Sequence, residues 1–133
     1  SWTTRGVSDK GLRYITAKSE EELIPAKSIL FGMDHARHSA IVCEGPFDVF
    51  RIGPGAVATM GIGWSRAQLR QIAEYPLRVI CFDAEPKAQE RAMKICHELA
   101  GFPGTTKRVV LKSKDPGSAS EKEIKELRRR FLK

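Results

Sequence analysis

Short apolar runs recur along the chain, separated by stretches of mixed polarity. Ala40-Ile41-Val42-Cys43, Ala56-Val57-Ala58-Thr59-Met60 and Arg78-Val79-Ile80-Cys81-Phe82 are β-prone and end at Gly or an acid, as buried strands do. "KRVVLK", 107–112, reads as a further strand, and Leu12-Arg13-Tyr14-Ile15-Thr16 as one nearer the N-terminus. Between them the apolar spacing becomes helical. Gly45-Pro46 breaks the first run and opens a short helix over 46–52. Phe47, Val49, Phe50 and Ile52 are expected to anchor it against a sheet. Ser65 and Gln68 form a capping box ahead of Leu69, Ile72 and Ala73, and Pro76 stops that helix. From Pro86 a longer helix runs to about Ala100, with Ala88, Ala92, Ile95, Cys96 and Leu99 at helical spacing. Ser120 and Glu123 signal another capping box, before Ile124, Leu127 and Phe131.

Strand and helix therefore alternate four times from residue 40 onward. The expected fold class is α/β: about four mainly parallel strands covered by helices on both faces. Parallel strands bring their carboxyl ends to one edge, and here acids follow three of them. Glu44 and Asp48 follow the first, Asp83 and Glu85 the third, and Asp115 the fourth. The second ends in Gly61 and Gly63, which permit close backbone approach. Carboxylates facing one another repel strongly unless a cation lies among them. Mg²⁺ takes oxygen ligands and is usually held by one or two carboxylates together with substrate phosphates. The pattern thus favours a metal centre for phosphoryl transfer. Plainer roles compete with it: Asp83 or Asp115 as an N-cap, and Glu44 paired with Arg51 or another base.

At 133 residues the chain suits one domain with a real core. No apolar run approaches the roughly 20 residues of a membrane span. The N-terminus has no signal-like segment and no initiator Met, so an excised fragment is expected. The formal net charge of +7 points to a polyanionic partner, nucleic acid ahead of membrane. Basic surroundings would hold a nucleic-acid backbone beside the acids, although "KELRRRFLK" also suits the solvated face of a terminal helix. Cys43, Cys81 and Cys96 are widely spaced and read as reduced thiols of a cytoplasmic protein. His35, His38 and His97 have no zinc-site spacing. No P-loop, GxGxxG or nucleophile elbow is present.

"VCEGPFD" followed by "VICFDAE" resembles the Toprim domain, the metal-binding module of DnaG-type primases, type IA and type II topoisomerases and some small nucleases. Glu44, Gly45 and Asp48 match its Glu-Gly and following Asp, and Asp83 matches the first acid of its Asp-x-Asp. Within the family the primase branch is most similar. "LRYITAKSEEELIPAKSILFGMDHAR" resembles the segment before the primase Toprim, with Lys27 and Gly32 in register. "VATMGIGWSRAQLRQI" and "SKDP", with Asp115 as its acid, extend the likeness over about residues 12–117. Glu85 stands where the family has its second Asp, Ala84 and Gln89 replace glycines, and Gly117 lies where primases often carry an acid. Such departures resemble those of phage or mobile-element primases. A topoisomerase is disfavoured, since Tyr14 and Tyr75 lack the context of a strand-cleaving tyrosine.

The resemblance implies a Toprim, Rossmann-like fold over 36–133, with residues 1–35 as an N-terminal extension belonging to a primase polymerase core. It implies Mg²⁺- or Mn²⁺-dependent RNA primer synthesis, a nucleotidyl transfer from nucleoside triphosphates on single-stranded DNA. A replicative helicase is a further expected partner; no membrane is involved. Glu44, Asp83 and Glu85 are the expected catalytic metal ligands, with Asp48 and Asp115 supporting them or holding a second metal. Lys27, Lys112 and Lys114 are candidates for phosphate or template contact. The alternatives are a Toprim-type metal-dependent nuclease and a non-catalytic DNA-binding Toprim module.

Overall fold

The structure is a computed structural model that describes residues 3–6 and 14–132. Among the described residues, ten strands and α-helices follow one another. A small antiparallel pair, β1 (Thr3–Arg5) and β2 (Tyr14–Thr16), precedes the main sheet. Then come β3 (Ser39–Cys43), α1 (Pro46–Ile52), β4 (Ala56–Ala58) and α2 (Arg66–Ala73). They are followed by β5 (Leu77–Ile80), α3 (Pro86–Leu99), β6 (Thr105–Arg108) and α4 (Glu121–Phe131). The expected N-terminal strand is present over 14–16, and its residues 12 and 13 lie outside the described residues. Short 3-10 turns occupy Ser19–Glu21, Ala26–Ser28, Met33–His35 and Pro116–Ser118.

The main sheet is four-stranded and wholly parallel, in the order β4-β3-β5-β6. Successive side chains of its inner strands enter opposite cores. Ala40, Val42, Val57, Ile80 and Phe82 pack under α2 and α3 with Ile72, Ala92 and Ile95. Ile41, Cys43, Ala58, Val79 and Cys81 pack under α1 and α4 with Ile52, Ile124, Leu127 and Phe131. This is the two-faced burial the apolar runs demand. Among the described residues no helix is long and apolar enough to cross a membrane.

Element bounds differ from the sequence reading where local chemistry overrides the apolar run. The second strand stops at Ala58 because Met60 turns left-handed, at φ 62°. The last strand is Thr105–Arg108 in place of 107–112. As an edge strand it pairs on one side only, so polar β-branched Thr105 and Thr106 suffice to form it. Beyond it the Val109 N–H makes one more bond to β5, to the Ile80 carbonyl at 2.9 Å, and Val109 and Leu111 cover the core under α4. Val49 and Ile52 anchor α1, but Phe47 and Phe50 do not: they are 45% and 70% exposed. At about 100° per residue, positions 47 and 50 fall on the face opposite 49 and 52.

Two buried polar groups set how the layers meet. Gln68, fully buried, closes the Ser65 capping box and donates to the carbonyls of Ile29 and Thr59, each at 2.9 Å. It thereby ties residues 26–30 to α2. Gly32 continues that segment at φ 81°, where an added Cβ would lie 2.8 Å from the Ala56 carbonyl oxygen, so only Gly fits. Arg78 on β5 is also fully buried. Its guanidinium donates to the carbonyls of Ala73, Leu99 and Phe102 and to Thr106 Oγ1, at 2.7 to 3.3 Å. Ala73 and Leu99 end α2 and α3, so two helix dipoles converge on one cation.

Candidate metal centre

The chain leaves β3 toward β4 on one side and β5 toward β6 on the other, with α1 and α3 on opposite faces. Such a reversal opens a crevice at the carboxyl ends of the two central strands. Glu44 follows β3 there, and Asp83 follows the extension of β5, where the Cys81 amide still donates to the Val42 carbonyl at 2.9 Å. The acids meet at this edge. The Asp83 carboxyl is pushed up to about 7, by burial and then by the charges of Glu44, Asp48, Asp115 and Glu85. Asp48 is raised too, by burial and then by Asp115 and Glu44, against the pull of two backbone N–H donors. Burial pushes the thiols of Cys43 and Cys81 up, the latter to about 12, and the same acids add to it; all three cysteines are free.

Each acid has its own environment. Asp48 accepts from the Gly45 N–H at 3.2 Å and the Gly117 N–H at 3.0 Å, which fastens the 115–118 turn to α1. Asp115 caps that turn through Ser118 N–H at 2.7 Å, the plain role open to it from sequence. Asp83 does not cap α3, whose N-terminal flank is Glu85, an exposed residue. Glu44 has the partner that sequence reading missed. Arg91 on α3 donates from Nη2 at 2.6 Å and Nε at 3.2 Å, both to Oε1 of Glu44, and lies 4.0 Å from Glu85. Arg51 instead holds the Ala119 carbonyl. Arg91 was visible only as a cation bordering the buried Ala88–Ala92–Ile95 stripe, three residues from Ala88.

The basic candidates divide. Lys27 donates to the carbonyls of Thr59 and Gly63 at 3.0 Å each, bracing the glycine loop after β4, and burial lowers its pKa. Lys112 and Lys114 are exposed, and the Lys114 carbonyl receives the Ala84 N–H at 2.7 Å, beside Asp83. The second capping box does not close: Glu123 turns from Ser120 to accept from Lys112 N–H and Ser113 Oγ, at 2.6 and 2.7 Å.

Among the described residues no three acidic, His or Cys side chains stand ready to hold a metal ion. The donor set nevertheless suits a hard dication. All its members are carboxylate oxygens, Asp83 is the one most loaded by neighbouring negative charge, and Mg²⁺ needs only one or two of them. Glu44 and Asp83 can supply that pair, with Glu85 beside them. Arg91 stands in for a cation at Glu44 and competes for its Oε1. Arg91→Met is therefore expected to tighten Mn²⁺ binding about fivefold while lowering the metal-free melting temperature, measured by calorimetric titration and thermal melting.

Asp83 also makes stability depend on pH. Its carboxyl in the folded chain holds a proton from about pH 4, where the unfolded chain loses it, up to about 7. Folded stability accordingly falls as pH rises through that window, and stays reduced above it. Discounted for partial exposure, the loss is about 1–2 kcal/mol. Asp83→Asn should remove it, melting higher than wild type at pH 8 without metal and nearly alike at pH 4.5. Equal melting curves at pH 8 would show that the acids do not press on Asp83.

Comparison with known proteins places the fold. The chain is similar to the zinc-binding and RNA polymerase domains of the Aquifex aeolicus primase, with a TM-score of 0.80 and 22% identity over 96% of this chain and 35% of that one. It is similar to a DnaG primase catalytic domain bound to single-stranded DNA, with a TM-score of 0.76 and 18% identity over 96% and 45% of the two chains. A DnaG catalytic core gives 0.70 and 16% over 96% and 47%. The chain thus spans less than half the length of these solved structures. No curated protein matches it in sequence. A Toprim-like family model matches residues 41–120, which hold all of the main sheet but the first two residues of β3, and all five acids, Glu44, Asp48, Asp83, Glu85 and Asp115. By that match, the chain belongs to the Toprim-like family.

Proposed function

We propose that this chain is the metal-dependent catalytic Toprim domain of a DNA primase, joining ribonucleotides into a primer on single-stranded DNA. One observation carries the reading: Glu44 and Asp83 follow the two central strands into one crevice, where burial, and then the charges of Glu44 and the other acids, push the Asp83 carboxyl up to about 7. The likeness of the fold to primase catalytic domains supports it.

Glu44, Asp83 and Glu85 form the ligand set. Mg²⁺ or Mn²⁺ bound there would neutralise charge developing on a phosphoryl group and make an attacking hydroxyl more acidic. Asp83 gives up its proton as the site loads, so loading strengthens up to about pH 7. Asp48 and Asp115 act through the backbone they hold: they fix the 112–118 loop, and with it Lys112 and Lys114, beside the acids. Those exposed lysines are placed to receive phosphates of template or triphosphate. Lys27 acts indirectly, by setting the loop that carries Gly61 and Gly63.

The test is an extension assay with single-stranded DNA, ribonucleoside triphosphates and Mn²⁺. Synthesis that needs all three components, and fails with Glu44→Gln, is the expected result. Cutting of the DNA by metal alone would establish a nuclease, and DNA binding unaffected by metal or by Glu44→Gln a non-catalytic module.

A further inference from the structure

Arg91 is held by two of the acids that a dication would take. Its Nη2 and Nε both donate to Oε1 of Glu44, at 2.6 and 3.2 Å, and Nη2 lies 4.0 Å from Oε1 of Glu85. Among the described residues no other carboxylate lies within ion-pair distance of it. The clasp is one-sided: an arginine fork commonly takes both oxygens of a carboxylate, whereas here two donors share one. The root of the side chain is fixed. Ala88 and Ala92, three residues before it and one after, are fully buried, and Gln89 donates to the Asp83 carbonyl at 2.8 Å. The guanidinium therefore stands at Glu44 and Glu85, on a helix tied to the strand end that carries Asp83, with its side chain only 21% exposed.

Both counter-anions of Arg91 thus belong to the ligand set assigned above. A dication that takes Glu44 and Glu85 leaves a part-buried guanidinium unpaired and facing a double positive charge, which repels it. An anion that touches metal and guanidinium together relieves both. Phosphate has that chemistry: Mg²⁺ sites are completed by substrate phosphates, and the planar guanidinium pairs with phosphate through two parallel N–H donors. We propose that Arg91 is a phosphate-binding residue that Glu44 keeps closed and that a dication opens by displacing it from Oε1. Metal and polyphosphate then bind cooperatively, each raising the affinity of the site for the other by the same factor. The inference rests on the metal-centre reading above and adds to it the side chain that takes the phosphates and the reason it waits for the metal.

Opening the clasp by mutation, with no metal present, separates the two claims. Calorimetric titration of inorganic tripolyphosphate in metal-free buffer compares wild type, Glu44→Ala, Glu44→Gln and Asp83→Asn, and Glu44→Ala combined with Arg91→Met or Lys87→Met. Glu44→Ala should bind at least about tenfold more tightly than wild type, as one freed charge-assisted pair allows. Glu44→Gln, whose amide oxygen still accepts from Arg91, should fall between them. Adding Arg91→Met to Glu44→Ala should abolish the gain, whereas adding Lys87→Met, which removes an exposed cation one turn away on α3, should keep it. No gain in either Glu44 variant, or a gain that survives Arg91→Met, would overturn the proposal. So would an equal gain in Asp83→Asn at pH 8, since that change removes a crevice charge and leaves the clasp closed. The expected gains with no Mn²⁺ binding by wild type would sink the metal centre and leave Arg91 a phosphate site that Glu44 closes. Mn²⁺ binding and primer synthesis by wild type, with no gain in the Glu44 variants, would sink the role of Arg91 alone.

Discussion

Glu44→Gln is expected to lower metal-dependent primer synthesis by at least about a thousandfold while leaving the fold intact. A factor of that size is about 4 kcal/mol of transition-state stabilisation, which lies within what a bound dication supplies. The substitution removes a charge and no volume. The amide oxygen can still accept from Arg91, so the link between β3 and α3 survives in weaker form. Thermal melting without metal should therefore move little, whereas the rise in melting temperature on adding Mn²⁺ should disappear. Asp83→Asn should match it in activity and melt higher than wild type above pH 7, since the buried Asp83 carboxylate costs stability once it is charged. Retention of synthesis by both variants would place the chemistry elsewhere in the molecule.

Arg78→Met is expected to destabilise the domain by about 3 kcal/mol or more, a fall of roughly 10 °C in melting temperature. Methionine fills similar length but cannot donate, so the carbonyls of Ala73, Leu99 and Phe102 lose their buried partner together. Each orphaned acceptor costs about 1–3 kcal/mol. Arg78→Lys should recover only part, because one ammonium cannot fork toward two helix ends and Thr106. Gly104 belongs to the same device: at φ 107° its missing side chain clears the Pro76 carbonyl, where a Cβ would lie 2.9 Å away. The site is at the opposite end of β5, so Mn²⁺ affinity of folded Arg78→Met should equal wild type. Chemical denaturation checks the first claim and calorimetry the second.

What the sequence made legible follows from how locally each feature is encoded. Ala40–Cys43 and Val79–Phe82 are continuous apolar stretches that only a strand buried on both faces requires, so the central strands stood out. The Ser65–Gln68 box closes within four residues and was readable for the same reason. Acids at strand ends were readable because a parallel sheet fixes where such ends go. Long-range partners were not. Arg91 meets Glu44 across 47 positions, and nothing in either neighbourhood names the other. Arg78 looked like the polar start of a strand, because the carbonyls that surround it belong to two helix ends remote in sequence. Phe47 and Phe50 misled for a different reason: an apolar residue on a short helix was read as core, although its angular position puts it outside.

Diffraction from a manganese-soaked crystal, recorded at the metal's absorption edge, tests the central claim most directly. The account predicts an anomalous peak between β3 and β5, bonded to carboxylate oxygens of Glu44 and Asp83, with Arg91 drawn back from Oε1. A well-occupied peak on other residues, or none in the crevice while Glu44 stays clasped by Arg91 at saturating manganese, would contradict it.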